Sequence, residues 1–189
     1  MELVSTEIPR DFFYTAVWLA SQDYCKTPRD TGRVDDIDAI SYISDLMSRY
    51  ISTDRIISAY LFGNAETLSE KVLAADKASS RRMPSLLKES GDFALFSSGM
   101  FPERLAKYEL RPHYEKQGAV SYFRAFKHLE FPTLEKLAYR FRHFEGVITN
   151  ARNNYMKVQH KGNQLRIVPL YDKMPSDAEL ARLTQKRPN

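Results

Sequence analysis

The sequence predicts an all-α fold: a single-domain helical bundle of about six to eight helices, with one long helix in its C-terminal half. Two observations carry most of that expectation. Apolar residues recur at three- and four-residue intervals through most of the 189-residue chain, and strict alternation over a strand-length window is scarce. At 43% hydrophobic and 28% charged residues, with seven Gly and nine Pro, the composition is that of an ordinary folded domain and excludes collagen-like and low-complexity chains. A chain of this length holds one sizeable core and is too short for two. With no repeat and no convincing boundary, residues 1–34 read as an N-terminal helical arm with a polar connection, 35–170 as the helical domain and 171–189 as a polar tail.

Asp11 to about Tyr24 carries Phe12, Phe13, Ala16, Val17, Leu19 and Ala20 as on a mostly buried helix. The connection Lys26–Arg33, with Pro28, Asp30 and Gly32, is rich in turn formers and makes that helix an arm or a docked flank. Asp35, Asp36 and Asp38 then place acids at the positive end of a helix whose stripe is Ile37, Ile40, Ile43, Met47, Tyr50 and Ile51. No glycine-containing loop or later Glu at EF-hand spacing follows, so these acids read as a helix start rather than a cation site. Ser52-Thr53-Asp54 offers the next N-cap and Gly63-Asn64 the next break. Thr67-Leu68-Ser69-Glu70 has capping-box spacing and opens a helix through Val72 and Leu73 towards Ala78.

Pro84 suits the first turn of a helix containing Leu86, Leu87, Phe93, Ala94, Leu95 and Phe96, its apolar surface interrupted by Gly91, Asp92, Ser97, Ser98 and Gly99. Bulky groups beside glycines and serines suit a central helix that a neighbouring backbone or a ligand approaches closely. Pro102 and Arg111-Pro112 force two further starts, the second opening a helix through Tyr114, Gly118, Ala119, Tyr122, Phe123 and Phe126. From Pro132, the residues Leu134, Leu137, Phe141, Phe144, Ile148, Ala151 and Tyr155 keep three-four spacing and predict one long helix to Gly162. Aromatic and small residues in this seam favour packing within a bundle over a dimeric coiled coil. Leu165, Ile167 and Val168 close the core before Pro169, and Ser176-Asp177-Ala178-Glu179 has the spacing of a short, capped tail helix.

The net charge of +4 conceals a division. Residues 1–78 hold 8 basic and 13 acidic side chains, a balance of −5, whereas residues 79–189 hold 20 and 11, a balance of +9. This asymmetry permits an anionic partner at the basic part, but the acidic part can fold back and neutralise it, and the internal explanation is preferred. The longest apolar stretch, Phe12–Ala20, is far shorter than the roughly 20 residues of a membrane span. Glu2 and Glu7 precede the first basic residue, Arg10, so no secretory leader is expected and the compartment reads as cytoplasmic. Cys25 is the lone cysteine, which excludes an intramolecular disulfide and a cysteine zinc site, and it reads as a packing residue rather than a nucleophile. No catalytic residue, cofactor or metal is expected. Walker A, G-x-G-x-x-G, H-E-x-x-H and paired E-x-x-H signatures are missing, and His113, His128 and His143 read as surface or helix-end imidazoles.

The segment from Gly91 to Phe101, followed by Tyr114, Gly118 and Tyr122, spells G-D-x-x-L-[YF]-x-S-G-[FM]-F and then a Y-x-x-x-G-x-x-x-Y helix. On these residues the chain resembles an uncharacterised bacterial all-helical family over roughly residues 35–170; the resemblance implies a helical domain and brings no activity. Asp92 on an apolar helix is costly to bury unpaired and needs a donor such as Tyr114, Tyr122 or a basic side chain, with Ser98 and Gly118 supplying close approach. Asp92, Ser97, Ser98, Tyr114 and Tyr122 therefore form either a buried polar network that fixes helix register, which is preferred, or the lining of a small-ligand pocket. The Gly91-Asp92 and Ser98-Gly99 pairs also resemble the glycine-rich distal helix of haem oxygenases. That likeness implies haem only as a distant alternative, because those enzymes bind iron with a histidine near the N-terminus and the first histidine here is His113.

Basic and aromatic residues interleave at Arg124 and Lys127 with Tyr122, Phe123 and Phe126, and at Arg140 and Arg142 with Tyr139, Phe141 and Phe144. Such alternation suits phosphate contacts with base stacking, and it equally describes the apolar inner face of a helix beside its solvated outer one. The expected function is non-enzymatic: a cytoplasmic helical interaction or regulatory protein that binds a protein partner, or itself, through Arg124, Lys127, Arg140 and Arg142. A nucleic-acid-associated regulator using the same residues is the alternative, and a small-ligand or haem-related protein centred on Asp92 follows it.

Overall fold

The computed structural model describes residues 8–24, 36–51, 65–161, 164–176 and 178–179. Cys25, the Lys26–Arg33 connection, the Ser52-Thr53-Asp54 cap and the Gly63-Asn64 break lie outside the described residues. Eight α-helices stand among the described residues: α1 (Arg10–Tyr24), α2 (Ile37–Ile51), α3 (Ala65–Asp76), α4 (Met83–Met100), α5 (Pro102–Lys107), α6 (Arg111–Leu129), α7 (Pro132–Tyr139) and α8 (Phe141–Tyr155). The protein is an all-α, single-domain bundle. Pro84, Pro102, Pro112 and Pro132 each occupy the first or second helical position, where a missing amide forfeits no intrahelical hydrogen bond.

The bundle is arranged around α4. Every residue from Ser90 to Met100 is buried, polar ones included, and α3, α6 and α8 pack about this helix. Its glycine positions are set by close approach. A Cβ at Gly91 would stand 2.7 Å from the Tyr122 ring, and one at Gly118 on α6 would stand 2.5 Å from the Phe141 ring and 2.8 Å from Ala94 Cβ. The arm predicted at the N-terminus is docked: α1 buries Phe12, Phe13, Ala16, Val17 and Ala20 against α2 and α8, and the Asn150 amide donates to the Ala20 carbonyl at 3.1 Å. On the other side, Tyr50 of α2 stacks on Phe96 of α4 with ring centroids 4.5 Å apart.

Two expectations for the C-terminal half are corrected. The single long helix from Pro132 is two helices, because the chain leaves helical geometry at Arg140 (φ −117°, ψ 31°) and restarts at Phe141. The two pieces answer to different neighbours. Thr133, Lys136 and Arg140 are tied to Asp38 and Asp36 at the start of α2, whereas α8 packs on α1 and α4, with Phe141 filling the notch at Gly118. The helix also stops at Tyr155 rather than at Gly162. Met156–Lys161 (β1) and Gln164–Pro169 (β2) pair antiparallel, Val158 opposite Ile167, and the apolar residues assigned to core closure therefore arrive on a strand. Ile167 is buried as expected.

Gly118→Ala should lower stability by about 1–3 kcal/mol through overpacking, in spite of up to about 1 kcal/mol gained in helix propensity. Equilibrium denaturation measures it, and an unchanged midpoint would mean that α6 and α8 are not held this close.

Candidate functional site

Asp92 lies in the middle of α4, 2% exposed, and its carboxylate gathers donors from three helices. Oδ1 accepts from the Tyr42 hydroxyl of α2 and from the Tyr122 hydroxyl of α6, the latter at 2.9 Å. Oδ2 accepts from Lys88 Nζ, one turn earlier on α4, at 3.0 Å and from an Arg49 guanidinium nitrogen of α2 at 3.3 Å. Two cations and two hydroxyls thus meet one buried charge, which is what such a charge requires. The Lys88 ammonium also sits 5.0 Å from the Tyr42 ring centroid. Burial, reinforced by the neighbouring carboxylate, pushes the Tyr42 and Tyr122 hydroxyls well above the usual phenol range, so both stay protonated donors.

Of the residues grouped here from sequence, Asp92 and Tyr122 come together. Ser98 donates instead to the Leu95 carbonyl at 3.3 Å, Ser97 is buried with no hydrogen-bond partner for its hydroxyl among the described residues, and Tyr114 packs its ring 6.1 Å from that of Phe93. Close approach comes from Gly118, as expected, and also from Gly91. Sequence reasoning does not name Tyr42, Arg49 or Lys88. Lys88 precedes Asp92 by one helical turn, and Tyr42 and Arg49 fall on one face of α2 at heptad spacing, which are the signals that point to them.

The four basic contact residues fall into separate settings. Arg124 on α6 pairs with Asp76 at the end of α3 at 2.6 Å. Arg140 pairs with Asp36, while its guanidinium lies 5.2 Å from the Phe144 ring centroid. Together with Lys136 on Asp38 at 2.7 Å, these contacts fold the acidic first part of the chain onto the basic second part. Lys127 lies 5.0 Å over the Phe123 ring, which meets Tyr139 edge-on at 5.9 Å. Arg142 keeps its side chain 81% exposed and pairs with Glu115 at 2.5 Å.

Arg140 and Arg142 also line a cleft of about 570 Å³ between α6 and the α7–α8 junction. Pro112, Ala119, Ala138 and Phe141 form its apolar wall; Glu115, Lys116 and His143 add polar groups, and Tyr139 lines it while 72% exposed. Asp92 is not part of this lining. From Glu115 a chain of charges continues inward: Arg111 Nε lies 3.2 Å from Glu115 and 2.9 Å from Oε1 of Glu145. Glu145 is fully buried. Its contact with Arg111 is an ion pair without hydrogen-bond alignment, and Oε2 has no hydrogen-bond partner among the described residues. Burial raises the Glu145 carboxyl above its ordinary value; Arg111 opposes the rise and Glu115 adds to it.

Among the described residues no group of three or more His, Cys, Asp or Glu is placed to hold a metal ion, and no helix is long and apolar enough to cross a membrane. His113 lies 3.4 Å from the Ser69 hydroxyl, and His143 meets the Phe144 ring edge-on at 5.1 Å. Compared with known proteins, the chain matches no family model, no curated protein and no solved structure.

Asp92→Asn should destabilise the fold by about 2–4 kcal/mol, somewhat below the cost of breaking a fully buried pair because Arg49 and Lys88 reach water. A shift in urea midpoint worth less than about 1 kcal/mol would show that these donors do not depend on the carboxylate. For Glu145 burial outweighs the ion pair with Arg111, so the sign is the reverse of that for an acid whose pairing dominates. The unfolded chain releases this proton first, so stability falls as pH rises from 4.5 through the raised value, and Glu145→Gln should remove that fall. Denaturation between about pH 4 and 8 checks this, and parallel profiles for parent and variant would contradict it.

Proposed function

We propose that the protein is a non-enzymatic, cytoplasmic helical interaction module that takes an acidic segment of a protein partner into the cleft between α6 and the α7–α8 junction. The cleft itself carries this reading: it joins an apolar wall to cationic side chains and to the exposed ring of Tyr139, the mixture typical of interface centres. Lys116 has no acidic partner among the described residues, and Arg142, 81% exposed, holds Glu115 from the solvent side, so an incoming carboxylate can reach the guanidinium. A protein partner is favoured over nucleic acid because Arg124 and Arg140 are already neutralised by Asp76 and Asp36. At Asp92 the two carboxylate oxygens are already met by four donors of this chain, Tyr42, Arg49, Lys88 and Tyr122, and this supports a packing network there over a ligand pocket. The motif residues Gly91, Asp92, Gly118 and Tyr122 belong to that network, and the bacterial family they resemble is proposed to share it.

The double variant Lys116→Glu/Arg142→Glu should reduce recovery of the partner by about tenfold or more in quantitative crosslinking capture from nuclease-treated cells, while Arg124→Glu leaves recovery unchanged. Equal recovery with the cleft variant would overturn the reading, and loss of all captured material on nuclease treatment would replace it with the nucleic-acid alternative.

A further inference from the structure

The charges running inward from the cleft form a neutral series: Arg142, Glu115, Arg111 and Glu145. An anion that settles on Arg142 adds negative charge beside two carboxylates, one of them out of contact with water, where charge repulsion is weakly screened. That cost disappears if one carboxylate takes a proton. Glu145 is the member suited to do so. It is fully buried, its Oε2 has no hydrogen-bond donor among the described residues, and its one guanidinium contact lacks hydrogen-bond alignment, whereas Glu115 touches both Arg111 and Arg142. Among the described residues, the charged groups that act most strongly on Glu145 are Arg111 and Glu115 from α6 and Arg142 from its own helix, and α4 meets this part of α8 with the backbone at Gly99. Burial already favours the neutral carboxyl.

We propose that the cleft is a binding site for an oxyanion, a carboxylate or phosphate group held by Arg142 and Lys116, and that the anion is taken up together with one proton on Glu145. This deepens the docking reading and rests on it for the source of the anion. The balance is simple: one anion and one proton enter, the proton resides on a Glu145 oxygen, and no covalent bond to the ligand forms. By linkage, a lower pH tightens the anion, and the anion raises the midpoint of Glu145 by the same free energy. His143 is a second titratable side chain lining the cleft, so its contribution has to be separated.

Sulfate is a suitable probe because its charge is constant over the useful pH range. It is titrated into the full chain at about pH 5.5 and 7.5 and followed by the amide resonances of Phe141, Arg142 and His143, with the Glu145 carboxyl read by carbon-13 NMR. The expected result is binding at least about fivefold tighter at the lower pH, and a Glu145 midpoint moved upward by sulfate. Glu145→Gln should bind at the higher pH as well as the parent does at the lower, and His143→Gln should keep the sulfate-induced shift of Glu145. A Glu145 midpoint that sulfate does not move overturns the proton coupling, and this readout on the parent protein decides even if Glu145→Gln fails to fold. Cleft amides that ignore sulfate at both pH values, or respond equally in Lys116→Glu/Arg142→Glu, overturn the site. Coupled sulfate binding with partner capture unaffected by that double variant removes only the docking reading; capture lost while sulfate stays uncoupled removes only this proposal.

Discussion

One buried negative charge constrains the whole bundle. Asp92 stands on the helix against which α2, α3, α5, α6 and α8 pack, and a buried carboxylate there calls for donors from outside α4 as well as from Lys88 on it. Tyr42 and Arg49 therefore fix the rotation of α2, and Tyr122 fixes that of α6, each through a hydrogen bond to the same group. Glycine completes the constraint. The Tyr122 ring reaches Asp92 by lying flush on Gly91, and α6 lies that close to α4 because Gly118 leaves room for Ala94, while its other side admits the Phe141 ring of α8. Hydrophobic burial supplies the larger share of stability, as in most domains, but it is non-directional and would accept several rotations of these helices. The polar contacts choose among them.

A second consequence concerns where binding capacity is left over. Pairing with Asp36, Asp38 and Asp76 occupies Arg140, Lys136 and Arg124, so three of the basic side chains of residues 79–189 are used in closing α2, α3, α6 and α7 together. At the α7–α8 junction the acidic part of the chain supplies fewer partners. There Lys116 and the exposed Arg142 border a cleft that the break at Arg140 itself creates, since an unbroken helix would carry Phe141 and Arg142 along a different line. Packing centre and proposed docking site are thus distinct places, joined through α6, which contributes Tyr122 to one and Glu115 and Lys116 to the other.

Much of the packing centre is legible in the amino-acid order. Pro84, Pro102, Pro112 and Pro132 announce helix starts, and Gly91, Asp92 and Gly118 are odd enough on apolar helices to mark close approach and a buried pair. The break at Arg140 is not legible, because the three-four seam runs through it without interruption and the forces that bend the chain come from Asp36 and Gly118, distant in sequence. The hairpin escapes for a local reason: Met156-Lys157-Val158 and Leu165-Arg166-Ile167 alternate over windows too short to compete with the helical pattern before them. Glu145 escapes for a different one. It follows Phe141 by four residues and so shares the apolar face, yet a single acid on a helix reads as surface until its burial is known.

Native-state hydrogen exchange of the parent protein tests most directly whether the Asp92 carboxylate binds α2, α4 and α6 into one cooperative unit. Amides around Ile43–Met47, Ser90–Ala94 and Ser121–Ala125 should open together, with a common free energy equal to that of global unfolding. Separate opening of α2 at a distinctly lower free energy, with α4 and α6 still protected, would contradict the account.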